Sequence, residues 1–171
     1  FPTVYMFTVA FQKFNPADPS ASEFIGLDNF ARLFTDDKFH NALQKTLLFT
    51  SGAVSVEFVI GLGFALLADK YIRRHNFIKT ILMIPMMLPP IAVAITWKLL
   101  YQPQFGVIND ILFRLGFEPV LWTASINTAM LSIILVDVWE WTPFIMLIML
   151  AGLSAMPRAP IEAATIDGAS R

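Results

Sequence analysis

The chain has 171 residues, of which 56% are hydrophobic, 13% aromatic and 15% charged, with a formal net charge of −1 and a mean hydropathy of +0.63. Soluble domains average about 45–50% apolar and about 25% charged residues, so this composition suits lipid better than water. The near-neutral charge gives no ground for a nucleic-acid partner, and the absence of cysteine excludes disulfides, thiol catalysis and zinc–thiolate sites.

Residues 1–14 open on FPTVYMFTVAF, an apolar run short of the ~20 residues a spanning helix needs, and are expected to be a partial span. A signal peptide fits less well, because no basic stretch precedes the run and no small-residue cleavage site follows it. The chain is expected to be the middle of a longer protein. Residues 15–40, with Pro16, Pro19, Gly26 and several acids, read as an outer loop carrying a short surface helix. Residues 41–68 form the first complete span, with Glu57 its only charge beyond the first turns. The inner loop, 69–76, holds Lys70, Arg73 and Arg74, and Lys79 follows; this basic cluster places the loop in the cytoplasm.

Residues 77–101 then cross outward, placing Trp97 and Tyr101 at the outer interface. Pro85, Pro89 and Pro90 each remove a backbone donor, so this span must kink or break; Pro143 raises the same expectation later in the chain. Residues 102–125 form an outer loop in which VINDILFRLGF has helical apolar spacing and is expected to lie on the surface. Residues 126–150 make the third complete span, and parity returns 151–171 to the cytoplasm as an inner coupling loop. The expected architecture is all-α: a polytopic transmembrane helical bundle with one partial and three complete spans, all within one transmembrane domain. Three uncharged runs near spanning length argue against a soluble bundle with buried helices.

Acids inside spans carry the first functional expectation. Asp137 and Glu140 are three residues apart, hence on one helix face, at a depth where an unpaired charge costs at least ~2.5 kcal/mol. They are expected to face inward, either lining a translocation path or pairing with a base on another helix, and Glu57 poses the same choice. Gly61 and Gly63 suit close helix contact. His40 and His75 fall on opposite sides of the membrane and cannot share a metal, and no metal-ligand spacing occurs elsewhere.

The inner segment MPRAPIEAATIDGAS has prolines at its entrance, two alanines that favour helix and a glycine exit. Such a helix can lie in a groove of another protein, or it can be a connector whose Glu162 complements its own dipole. The order Glu162-Ala163-Ala164, three residues, Gly168 resembles the EAA loop of permease subunits in binding-protein-dependent ABC importers. GLDNF at 26–30 resembles the outer-loop pattern of their sugar-importing branch, the maltose and glycerol-phosphate type. Residues 45–50, MIPMMLPP at 83–90, DVWEWTPF at 137–144 and LAGLSAMP at 150–157 are similar to that branch in the same order, so the resemblance covers nearly the whole chain. The family pattern continues past the glycine to an Ile-x-Leu-Pro element that this sequence does not reach.

The resemblance implies a multi-pass subunit of a bacterial or archaeal cytoplasmic (inner) membrane. Its coupling helix, comprising Pro157, Glu162, Ala163, Ala164, Asp167 and Gly168, would dock on cytoplasmic ATP-binding subunits. A second permease subunit, an extracytoplasmic solute-binding protein and membrane lipid would be its other partners. With no G-x-x-x-x-G-K-[ST] in the sequence, no cofactor is expected in this chain, and ATP would be bound by the partner ATPase. The chain is therefore expected to be a transport subunit and not an enzyme, with Glu57, Asp137 and Glu140 along a path for a carbohydrate. The alternative is an ion-coupled secondary transporter whose intramembrane acids relay protons or sodium; a scaffold with no path is a third reading.

Overall fold

A computed structural model describes residues 2–71, 76–157, 163 and 166–168. The basic inner-loop residues Arg73 and Arg74, with His75, lie outside that set. The backbone divides into two compact units, residues 1–48 and 49–171.

In the first unit, helix α1 (Pro2–Ala10) leads into strand β1 (Gln12–Lys13), which pairs antiparallel with β2 (Glu23–Phe24), Gln12 opposite Phe24. This two-stranded ribbon was not expected: β1 falls at the end of the expected partial span and β2 in the outer loop, whose expected short helix is α2 (Asp28–Thr35). The GLDNF segment then shows what each residue does. Gly26 turns the chain at φ +58°, a conformation L side chains rarely adopt, and Asp28 opens helix α2 (Asp28–Thr35), where a carboxylate favours the positive helix end. The Asn29 amide donates to the Ala10 carbonyl at 2.9 Å and the Gln12 carbonyl at 3.0 Å, and the Phe30 ring sits 5.4 Å from Phe11. The motif is a clasp that fastens the outer loop to the end of α1.

Helix α3 (Asp37–Tyr71) starts four residues before the expected span. Asp36 accepts from the Lys38 amide at 2.8 Å and so caps the helix, while Asp37 occupies its first turn. Local capping extends the helix beyond the apolar run that locates the span.

In the second unit, the expected second span is interrupted, as its prolines require. Helix α4 (Asn76–Met83) gives way to a 3-10 turn at Pro85–Met87, Leu88 and Pro89 are extended, and helix α5 (Pro90–Leu100) restarts with Pro90 in its first turn. Helix α6 (Val107–Arg114) follows in the outer segment, braced by an Asp110–Arg114 ion pair of 2.9 Å, and helix α7 (Ala129–Ala155) runs unbroken through Pro143. Pro143, where a kink was expected, lies inside α7 without ending it.

Helix α3 buries a single stripe of Ala53, Glu57, Gly61, Ala65 and Ala68, spaced three or four residues apart. That stripe meets α7. A Cβ at Gly61 would stand 2.8 Å from Ile145 Cγ2 and 3.1 Å from the Met146 backbone nitrogen, and one at Gly52 would stand 3.1 Å from Ile134. Gly63, expected to serve the same purpose, faces open space. Both contacts advance together along the two helices, so α3 and α7 run in the same direction. Only 28% of the most apolar stretch of α3 and 22% of that of α7 is buried inside the chain. The core helix of a soluble protein would be mostly buried; these helices present their apolar sides outward, where a membrane would cover them.

Candidate functional site

Two helix faces and residues of the segment between them line an open cavity of about 440 Å3. From α5 come Trp97, Lys98 and, one turn on from Trp97, Tyr101; from α7 come Ser132, Asp137 and Glu140; Thr123 closes the outer side. The volume falls within the range of small-molecule sites. Flat aromatic rings beside fixed carboxylates suit a polyhydroxylated solute, whose C–H faces stack on the rings while its hydroxyls donate to the carboxylates.

The aromatic wall is built into the fold. Trp97 lies 5.3 Å from Tyr101 and 5.4 Å from Trp139, and Tyr101 stacks on Trp122 at 5.2 Å and 25°. Tyr101 is buried, and its hydroxyl donates to the Ser132 carbonyl at 3.1 Å. Ser132 Oγ lies 2.9 Å from the carbonyl oxygens of both Trp122 and Thr128, one of which takes its proton. Trp97 and Tyr101, expected at the outer interface, both line the cavity. Their i, i+4 spacing beside Lys98 was the available signal.

Asn109 organises the outer segment and was missed in the sequence, where it reads as a polar residue on a surface helix. It is 4% exposed. Its Nδ2 donates to the Val120 carbonyl at 3.0 Å and the Pro103 carbonyl at 3.4 Å, while its Oδ1 accepts from the Val120 amide at 3.0 Å and Trp122 Nε1 at 2.9 Å. Replacing Asn109 by alanine strands two buried donors, each worth about 1–3 kcal/mol. The expected result is a melting temperature lowered in detergent and a redder tryptophan emission as Trp122 loosens; unchanged values would remove Asn109 from this role.

Of the intramembrane acids, Asp137 and Glu140 reach the cavity together. Glu57 does not line it. Glu57 is buried on the face of α3 that meets α7, and among the described residues its Oε1 has no hydrogen-bond partner. Of the three prolines of the second span, Pro85 and Pro89 precede α5 and Pro90 opens it, and the segment Pro85–Met87 packs against α7. Among the described residues no group of three histidines, cysteines or carboxylates is placed to hold a metal.

For the inner coupling loop, Glu162 and Ala164 lie outside the described residues. Pro157 follows α7 and is exposed. The Asp167 amide donates to the Ala163 carbonyl at 3.0 Å, an i to i−4 helical bond, and Gly168 follows at φ +90°. A helical turn that ends on a left-handed glycine is the local form the sequence implied, because only glycine enters that region without a Cβ penalty. The cavity is lined by residues of the N-terminal half of α7, Ser132 to Glu140.

Comparison with known proteins gives a consistent result. Residues 50–171 match the family described as "binding-protein-dependent transport system inner membrane component". The chain is 40% identical over 170 residues to a probable ABC transporter permease protein, y4oQ, of Sinorhizobium fredii, covering 99% of this chain and 55% of that protein. It is also 40% identical over 147 residues to the trehalose/maltose transport system permease protein MalF of Thermococcus litoralis, covering 86% of this chain and 50% of that one. The chain thus spans about half the length of the curated relatives it matches. Among solved structures, a bacterial ABC transporter involved in import of the acidic polysaccharide alginate superposes with a TM-score of 0.76 at 22% identity, over 99% of this chain and 58% of that one, which shows a shared fold.

Proposed function

The chain belongs to the family of inner membrane components of binding-protein-dependent transport systems, and on that premise we propose that it is part of a multi-pass permease subunit of an ATP-driven importer for a neutral sugar. A separate cytoplasmic ATPase pair supplies the energy, a second permease subunit completes the path, and an external binding protein delivers the solute. The similarity to a trehalose/maltose transport system permease protein supports the solute class. The single observation that carries the reading is the cavity, in which Trp97 and Tyr101 face Asp137 and Glu140. Two acids against one lysine at such a site repel an anionic solute and leave hydroxyls as the natural partners. ATP binds to the partner ATPase, and this chain itself needs no cofactor. Membrane lipid covers the outward apolar faces of α3 and α7.

Uptake into proteoliposomes holding the complete transporter tests this. Radiolabelled trehalose is expected to enter only with ATP, binding protein and ATPase present, and sn-glycerol 3-phosphate is expected to be excluded. Trp97→Ala should weaken uptake about tenfold, in keeping with the ~1–3 kcal/mol of a lost aromatic contact. Uptake driven by an ion gradient without ATP would instead establish the secondary-transporter alternative.

A further inference from the structure

Helix α6 shows apolar residues where a helix lying in water would show polar ones. Its inward side consists of half-buried Ile108 and Leu112 around Asn109, which is bonded to Val120, Trp122 and Pro103. Val107, Ile111 and Leu115 recur every fourth position and so share one face, and they are 54%, 51% and 67% exposed. Leu115 ends the helix, and its amide still donates to the Ile111 carbonyl at 3.1 Å, which keeps it in line. Asp110 and Arg114, paired at 2.9 Å, are 55% and 76% exposed. At about 3.6 residues per turn the ion pair lies roughly opposite the inward side, and the apolar stripe occupies a flank between the two. One helix thus has a protein side, a charged side and an apolar flank.

The level at which α6 is held decides what meets that flank. At its start, Gly106 sits so close to the Leu100 and Gln102 carbonyl oxygens, at the end of α5, that a Cβ there would overlap both. Past its end, the residues that Asn109 holds are fastened to the start of α7: the Thr128 hydroxyl donates to the Leu121 carbonyl, and Ser132 Oγ lies 2.9 Å from the Trp122 carbonyl oxygen. Helix α6 is therefore fixed beside the outer ends of α5 and α7, where acyl chains give way to headgroups. Leu99 on the last turn of α5 and Leu131 on the first turn of α7 are exposed too, so the apolar surface of both helices continues to this level.

We propose that α6 is an interfacial helix: Val107, Ile111 and Leu115 lie among the acyl chains of the outer leaflet, Asp110 and Arg114 lie among headgroups and water, and Asn109 grips the protein. Because the two charges cancel, the partner of the flank is hydrocarbon and not an anionic headgroup. The same helix braces the solute cavity from outside, since Asn109 holds Trp122 and Trp122 stacks on Tyr101 in the cavity wall. The proposal rests on the membrane placement of the family and not on the identity of the solute.

The test uses the complete transporter in phosphatidylcholine vesicles, its other subunits freed of cysteine, with a nitroxide on one thiol introduced into this cysteine-free chain. Collisions with dissolved oxygen report hydrocarbon, and collisions with a neutral nickel chelate report water. The ratio of oxygen to nickel collisions is expected to be severalfold higher for Ile111→Cys and Leu115→Cys than for Arg114→Cys, and to match Val59→Cys on the exposed side of α3 in sign. Nickel collisions in excess at both 111 and 115 would place the flank in water and overturn the proposal. Protection of both positions from both reagents, before or after the external binding protein is added, would show that a protein covers the flank and would overturn it as well. Position 59 keeps the premise apart from the proposal: nickel in excess there would contradict the span itself, whereas oxygen in excess at 59 with nickel in excess at 111 would contradict the seat of α6 alone.

Discussion

Replacing Ala163 by tryptophan is expected to stop ATP-driven uptake while the protein still inserts, folds and allows its ATPase to hydrolyse ATP. Ala163 is exposed on a helical turn closed by the Asp167 amide and ended by Gly168 at φ +90°. A small side chain there lets a partner surface approach closely, and an indole forces it away. Overpacking at a fitted contact costs about 1–3 kcal/mol, which shifts a docking equilibrium roughly 10- to 100-fold. Because the site lies beyond the end of α7, melting of the membrane helices should be unaffected. Normal uptake in this variant, measured beside ATP hydrolysis in the same vesicles, would show that the turn is not a docking surface.

Gly61→Leu is the second large effect, and it acts on the membrane helices directly. Even one added carbon at Gly61 meets Ile145 at 2.8 Å and the Met146 backbone at 3.1 Å, and backbone cannot yield as a side-chain tip can. The expected loss is about 1–3 kcal/mol of stability, read as a lower melting temperature and yield in detergent. Gly63→Leu is the matched control, since nothing lies within 4 Å of the corresponding position and no loss is expected. Equal effects at both sites would mean that the α3–α7 seam is not as close as described.

Helices α3 and α7 were legible because a long uncharged run suits a membrane span, and the clustered Pro85, Pro89 and Pro90 interrupt a helix where the single Pro143 does not. Hence the positions of α3 and α7 and the break around Pro85–Pro90 follow from the sequence. Boundaries did not, because helix ends obey local capping; Asp36 starts α3 within what polarity alone marks as loop. Which face of a helix meets which neighbour was not legible either. Tyr101 and Asn109 owe their roles to partners 31 and 11 residues away, Ser132 and Val120, and no periodicity in one segment encodes a bond to another. The same holds for the acids. Their spacing placed Asp137 and Glu140 on one face, but that Glu57 is buried on the face of α3 that meets α7 emerges only when Gly52 and Gly61 bring the two helices together. The GLDNF segment is the converse case, a motif legible by resemblance whose physical sense, a clasp by Asn29 on the Ala10 and Gln12 carbonyls, needed the structure.

Because the chain has no cysteine, a single introduced thiol reports its own location. Asp167→Cys, in the inner loop, should react with a membrane-impermeant thiol reagent only in inside-out vesicles, and Glu118→Cys, in the outer segment, only in intact cells. Reaction of the Asp167 position from outside intact cells would contradict the arrangement that sets the cavity toward the solute and the coupling turn toward the ATPase.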